Sequence, residues 1–214
     1  MVEVPKRRGR PPGKRPKVPH RTRPDHASWF PLHVTLRVDA RMPNLRCETL
    51  NDTLRRAFRN TRRADFRIVE FSVQTNHLHL IVEATDNDAC ARGMKSFTVR
   101  ANRLLNAATG RRRGRVWSDR HHRRALQTPR QVRNALVYCL HNIKKHRGRK
   151  ATENAPPIDR YSSAPWFEGW CEPCARDPAD EGPRPTPRPR TDLLRFMWRR
   201  LGLIHPRETP RLPD

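Results

Sequence analysis

The chain has 214 residues, with 46 Lys and Arg against 21 Asp and Glu and a formal net charge of +25. That length suits one packed domain with tails, and so large a positive excess repels itself and points to a polyanionic partner. No apolar run approaches the ~18 residues needed to span a bilayer, and no signal-peptide core opens the chain, which disfavours a membrane role and fits a cytoplasmic nucleic-acid-binding protein.

The five cysteines (Cys47, Cys90, Cys139, Cys171, Cys174) are too few for a disulfide scaffold. Cys171 and Cys174 form a single CxxC without a second pair or finger-spaced histidines, and are read as incidental thiols rather than a zinc or redox site. Prolines mark the boundaries: seven lie in residues 1–31 and twelve in 156–214, with only Pro43 and Pro129 between. Proline lacks a backbone donor and fixes φ, so long elements avoid it. The expected organisation is a disordered basic arm over 1–31, a catalytic domain over 32–155 and a Pro-rich tail over 156–214. Residues 182–190 read as an extended, semi-rigid linker.

In chain order, residues 33–38 (HVTLRV) alternate as a strand. Residues 49–60 place Leu50, Leu54, Ala57 and Phe58 at helical spacing. Residues 66–74 and 77–84 read as two strands joined by Thr75 and Asn76, hence a hairpin. Met94, Phe97, Ala101, Leu104, Leu105 and Ala108 line one helical face that Gly110 ends. Residues 122–128 form a short strand, and Pro129 starts a third helix running to about His146. Residues 192–204, with Leu193, Leu194, Met197, Trp198 and Leu201, read as a helix docking on the domain or on a partner subunit. The order βαββαβα predicts an α+β, ferredoxin-like antiparallel sheet with all helices on one face.

Three features bear on chemistry. In a strand, His77 and His79 project to the same face while Leu78 points away, giving either half of a metal site or an exposed polar pair. Of the two tyrosines, Tyr138 and Tyr161, only Tyr138 lies inside the expected domain. On its helix the apolar stripe is Val132, Leu136, Cys139, Leu140 and Ile143. Tyr138 falls on the flank of that stripe, with Asn142 one turn on and Lys145 a turn beyond.

The segment NHLHLIVEA resembles the metal-binding strand of HUH endonucleases, and the succession HVTLR, NHLHLIVE, LVYCLHN resembles the single-tyrosine HUH transposases of the REP-associated type. The resemblance spans about 33–148, and YSSAPWFEGW (161–170) is similar to the tail of some members. It implies that His77 and His79 are metal ligands completed by Asn142, that Tyr138 is the nucleophile, and that the ion is Mg²⁺ or Mn²⁺. It also implies a bacterial, nucleoid-associated enzyme acting on single-stranded or hairpin DNA, with a homodimer left open. Two departures stand out: Ile143 follows Asn142 where many members have Pro, and His121-His122 replaces a common Tyr-His. A phenol has a pKa of ~10 and needs help as a nucleophile, which a divalent ion provides by offsetting charge on the transition state. Attack by Tyr138 would store the bond energy as a 5′-phosphotyrosine for later rejoining.

Other residues concern grip on DNA. Arg8 and Arg10 sit in an AT-hook-like core that would suit an A·T-rich minor groove, or would serve as part of a generic basic tail. Arg113, Arg115 and Arg120 cluster beside Trp117, which either stacks on an unpaired base or packs the loop down; Lys145 would add a phosphate contact. His121 and His122 are read as backbone- or DNA-facing. Two rival functions remain: a non-catalytic DNA- or RNA-binding descendant of such an enzyme, and a water-using phosphodiesterase that would draw on Glu70 or Glu83.

Overall fold

The computed structural model describes residues 24–146, 158–174 and 182–210, so Arg8 and Arg10 lie outside the described residues. Four strands, β1 (Leu32–Arg37), β2 (Phe66–Val73), β3 (His77–Ala84) and β4 (His122–Ala125), form one antiparallel sheet in the order β2-β3-β1-β4. This is the ferredoxin-like α+β arrangement: β1 and β3 sit side by side in the middle, and helices α1 (Glu48–Arg59) and α2 (Asn87–Ala108) make the crossovers.

Alternation builds the first core. Leu32, Val34 and Leu36 face the same way as Leu78, Leu80 and Val82, and α1 and α2 close over them with Leu54, Phe58, Met94, Phe97 and Leu105. Phe58 stacks on Phe71 and Phe97 with ring centroids 4.4 and 5.1 Å apart. Helix α2 begins ahead of the Met94–Ala108 face read from the sequence: the Asp86 carboxylate accepts the Ala89 N–H at 2.7 Å and caps it, and Ala89 and Cys90 extend the buried face. Gly93 lets Phe66 approach: a Cβ there would lie 2.0 Å from the ring. Gly110, at φ +68, ends the helix region as read from the sequence.

Helix α3 (Pro129–His146) departs from the expectation that all helices share one face. It packs on the opposite side, where Val132, Leu136 and Cys139 meet Ile81 and Val69. Two local causes are visible. Strand β3 is buried at seven of its eight positions, so both its faces need cover. A β-bulge between Ile68 and Glu70 brings Val69 into the α3-side cluster.

The tail also departs from its reading. The Val73 N–H donates to the Tyr161 carbonyl at 2.7 Å and the Ser163 N–H to the Phe71 carbonyl at 2.9 Å, which covers the open edge of β2. Arg46 holds Asp159 through two short bonds and lies 4.5 Å over the Tyr161 ring. Residues 182–190 do not hang free as a linker. Arg184 pairs with the buried Glu70 at 2.6 Å, and the backbone N–H groups of Arg190 and Thr191 donate to Glu83. Proline forbids ladder bonds, but it leaves a strap free to pack where buried carboxylates satisfy its remaining amides.

Beyond the strap, a short helix α4 (Asp192–Arg195) and a 3₁₀ turn (Met197–Leu201) place Leu193, Leu194 and Trp198 against α3. Phe196, at φ −146, breaks what reads as one helix over 192–204. Arg133 of α3 then ion-pairs with Glu208 at 2.7 Å, so the packed unit extends well past residue 155. Among the described residues no helix is long and apolar enough to cross a membrane.

Candidate active site

Strand register brings the site together. Ser72, His79, Thr35 and His122 fall in one row across β2, β3, β1 and β4. Neighbouring rows place His77 opposite Arg37 and Ile81 opposite His33. Because side chains alternate, His33, Thr35, His77 and His79 all project toward the side that α3 covers.

The two strand histidines converge. The His77 and His79 Nε2 atoms are 2.9 Å apart. His77 Nδ1 donates to the Asn76 side-chain oxygen at 2.8 Å, which turns its Nε2 lone pair toward His79, and His79 Nδ1 meets Thr35 Oγ1 at 3.3 Å. Two imidazoles bound side by side on one ion, at about 2.1 Å each, have nitrogens about 3 Å apart, and this is the separation seen. Outer partners on both Nδ1 atoms are what orients ligating histidines.

Tyr138 stands beside His79. Its ring centroid lies 4.9 Å from His79 and 5.7 Å from His33, edge-on to both. Helix α3 is seated there by its buried stripe and by Cys139, whose thiol donates weakly to the His79 carbonyl at 3.8 Å. Asn142 does not simply follow Tyr138 by one regular turn, because His141 has non-helical angles (φ −115, ψ 15) and kinks α3 between them. Past the kink Asn142 is fully buried, and neither atom of its carboxamide has a hydrogen-bond partner among the described residues. A buried, unsatisfied amide is costly and suits a donor held for an ion.

His33 and Thr35 were missed by the sequence reading. The alternation of HVTLR set them on one face, but nothing local said that β3 and its histidines would lie alongside. Burial first, then Arg124 and His122, push the His33 imidazole down to about 4, so it is neutral at physiological pH. The two carboxylates weighed for water-based chemistry are committed elsewhere. Glu70 is bound by Arg184, its carboxyl raised by burial, and Glu83 is filled by the strap. Among the described residues no three His, Cys, Asp or Glu side chains form a metal-holding group, Cys171 and Cys174 included.

The loop of residues 111–121 runs along the His77 end of the sheet. The Ser118 N–H donates to the Arg37 carbonyl and the Asp39 N–H to Val116, while Arg113, Arg115 and Arg120 stay exposed. The Trp117 indole donates to the Thr98 carbonyl at 3.0 Å and leans on Phe97, so this half-buried ring packs the loop down. The side chain of Lys145 lies outside the described residues.

No curated protein matches this sequence. Among solved structures, the chain is similar to a REP-associated tyrosine transposase bound to a REP hairpin, at 19% identity and a TM-score of 0.50, over 68% of this chain and 82% of that one. That likeness shows a shared fold. The family model for transposase IS200 like matches residues 28–128, a segment that holds β1 to β4 with His77 and His79 and stops one residue before α3. Residues 28–128 of this chain are thus similar to the transposase IS200-like family.

Proposed function

We propose that the protein is a single-tyrosine transposase that nicks and rejoins single-stranded or hairpin DNA of the bacterial nucleoid. The observation that carries this reading is the Tyr138 ring set edge-on against His79, whose Nε2 meets that of His77 at 2.9 Å. The family match and the likeness to a hairpin-bound relative support DNA as the partner.

Tyr138 Oη attacks a backbone phosphorus; the Oη–P bond forms, the P–O3′ bond breaks, and a 3′-OH strand end is released. The energy of the broken ester stays in the 5′-phosphotyrosine, so another 3′-OH can reverse the step and join strands. His77, His79 and Asn142 fit a divalent ion, Mg²⁺ or Mn²⁺, with neutral donors only. When bound, such an ion supplies polarisation of the phosphate oxygens and offsets charge on the transition state. The chain's own part is to aim two imidazole lone pairs at one point, to hold the phenol beside them on a buttressed helix, and to draw the phosphate in with the exposed arginines of loop 111–121.

The test is incubation with end-labelled hairpin DNA and Mn²⁺, followed by a denaturing gel. A covalent adduct is expected for the native chain and none for Tyr138→Phe, with DNA binding unchanged. An adduct that survives Tyr138→Phe would move the nucleophile elsewhere, and Tyr161 is the only other tyrosine. Binding without any adduct would identify a non-catalytic DNA-binding descendant.

A further inference from the structure

Strand β4 carries two adjacent arginines that the sheet sends to opposite faces. Arg123 lies opposite Val34 in the ladder and turns to the α1–α2 side, where it donates to the Asn87 side-chain oxygen. Arg124 lies opposite His33. Directly paired residues of an antiparallel ladder project to one face, so its side chain stands on the side of Tyr138. Ile81, His33 and Arg124 form one row across β3, β1 and β4, next to the row of His79, Thr35 and His122. His33 is the shared neighbour. Its ring is 5.7 Å from the Tyr138 ring and 5.3 Å from that of His79, and the Arg124 charge is the first electrostatic influence on it after burial. Arg124 is exposed and makes no hydrogen bond or ion pair among the described residues. Arg37, opposite His77, is exposed on the same face but lies four residues along β1 from His33, a distance of about 13 Å.

The geometry points to Arg124 as a catalytic residue that binds the scissile phosphate and the charge that grows on it as Tyr138 attacks. This rests on the Tyr138 reading and adds to it a group that is neither nucleophile nor metal ligand. The side chains that converge beside the tyrosine, His33, Thr35, His79 and Asn142, include no permanent cation, whereas the phosphodiester brings negative charge to them. In the step, the Tyr138 Oη–P bond forms as the P–O3′ bond breaks. The phenol proton passes to water, and the departing 3′ oxygen keeps the bonding pair and takes a proton from water. Between those states, charge is shared over the non-bridging oxygens of the phosphate. A guanidinium presents parallel N–H donors whose fork matches two such oxygens, and it keeps its own proton throughout. Arg124 is rooted in a strand laddered to β1, so its Cα is fixed while its unengaged side chain can close on the phosphate.

The experiment measures the single-turnover rate of adduct formation by the full chain on saturating hairpin DNA with Mn²⁺, together with DNA affinity. Arg124→Ala should slow the step by about 100-fold, the usual loss for one donor aimed at transition-state charge. Arg124→Lys, which keeps the charge and loses the fork, should be slower than native by about 10-fold. Adding guanidinium to Arg124→Ala at about 50 mM, far below the molar range that unfolds proteins, should recover much of the rate, and equal NaCl should not. Arg37→Gln removes the same charge from the same face and should leave the rate within about 3-fold of native, with affinity lowered by one phosphate contact at most. A native rate in Arg124→Ala, or a loss confined to affinity, overturns the assignment. Equal slowing by Arg37→Gln replaces the contact with a general positive field and overturns it too. A slow step that neither lysine nor guanidinium relieves makes Arg124 structural. If the native chain forms an adduct that Tyr138→Phe abolishes while both Arg124 variants react normally, only the arginine is refuted; if the native chain forms none, the Tyr138 reading fails and takes this inference with it.

Discussion

Glu83→Ala tests the finding that the tail belongs to the folded unit. Glu83 is almost fully buried, and its carboxylate accepts the Arg190 N–H at 2.9 and 3.0 Å, the Thr191 N–H at 2.8 Å and the Thr191 hydroxyl at 2.8 Å. Arg67 balances its charge at 3.7 Å. Removing the acceptor strands two backbone donors and leaves a half-buried guanidinium uncompensated. Hydrogen bonds to charged groups are worth about 1.5–3 kcal/mol each, and bonds sharing one carboxylate do not add fully, so the cost should be about 3–5 kcal/mol. For a unit of this size that is a fall of about 10 °C in Tm. Glu83→Gln keeps one acceptor oxygen and should cost about half as much. The assay is thermal melting followed by native-state hydrogen exchange. Protection should fall first in residues 190–204 and then in α3, which Leu194 and Trp198 support. A loss below about 1 kcal/mol, or unchanged protection of the tail, would show that the strap is only laid against the sheet.

Other outcomes follow from the same structure. His77→Ala or His79→Ala should cut adduct formation by at least about 100-fold and weaken Mn²⁺ binding, read by calorimetry; full activity of both variants would make these histidines structural. The folded-state pKa of His33, about 4, lies below the ordinary 6.5, so the unfolded chain binds the extra proton first. Its neutral burial is therefore fully tolerated above pH 6.5, and metal-free protein should lose up to about 3 kcal/mol as pH falls from 6.5 to 4, a slope that His33→Gln should flatten. Gly93→Ala should destabilise by about 3 kcal/mol or more, since its Cβ would enter the Phe66 ring at 2.0 Å; near-native melting would disprove the close approach. Deleting residues 1–24, which carry nine Lys and Arg against Glu3, should lower the salt slope of DNA binding by about 2–4 while leaving cleavage at saturating DNA intact.

Much of this protein was legible in its residues alone. Period-2 and period-3.6 patterns located every strand and the three main helices to within a few residues at most ends, because those patterns report which side chains seek cover. Strand alternation also guaranteed that His77 and His79 would share a face, and the scarcity of tyrosine drew attention to Tyr138. What alternation cannot say is what lies over a face. That α3 covers the histidine side, and so sets Tyr138 against His79, depends on a bulge beside Val69, on a strand buried on both sides, and on a tail that holds α3 from outside. His33 and Thr35 joined the site through the pairing of β1 with β3, a contact some 45 residues apart in the chain. Asn142 was placed by a kink that no helical count foresees. The Pro-rich strap shows the same division: composition correctly reports that it forms no ladder, but only the buried carboxylates of Glu70 and Glu83, supplied by distant strands, decide that it packs.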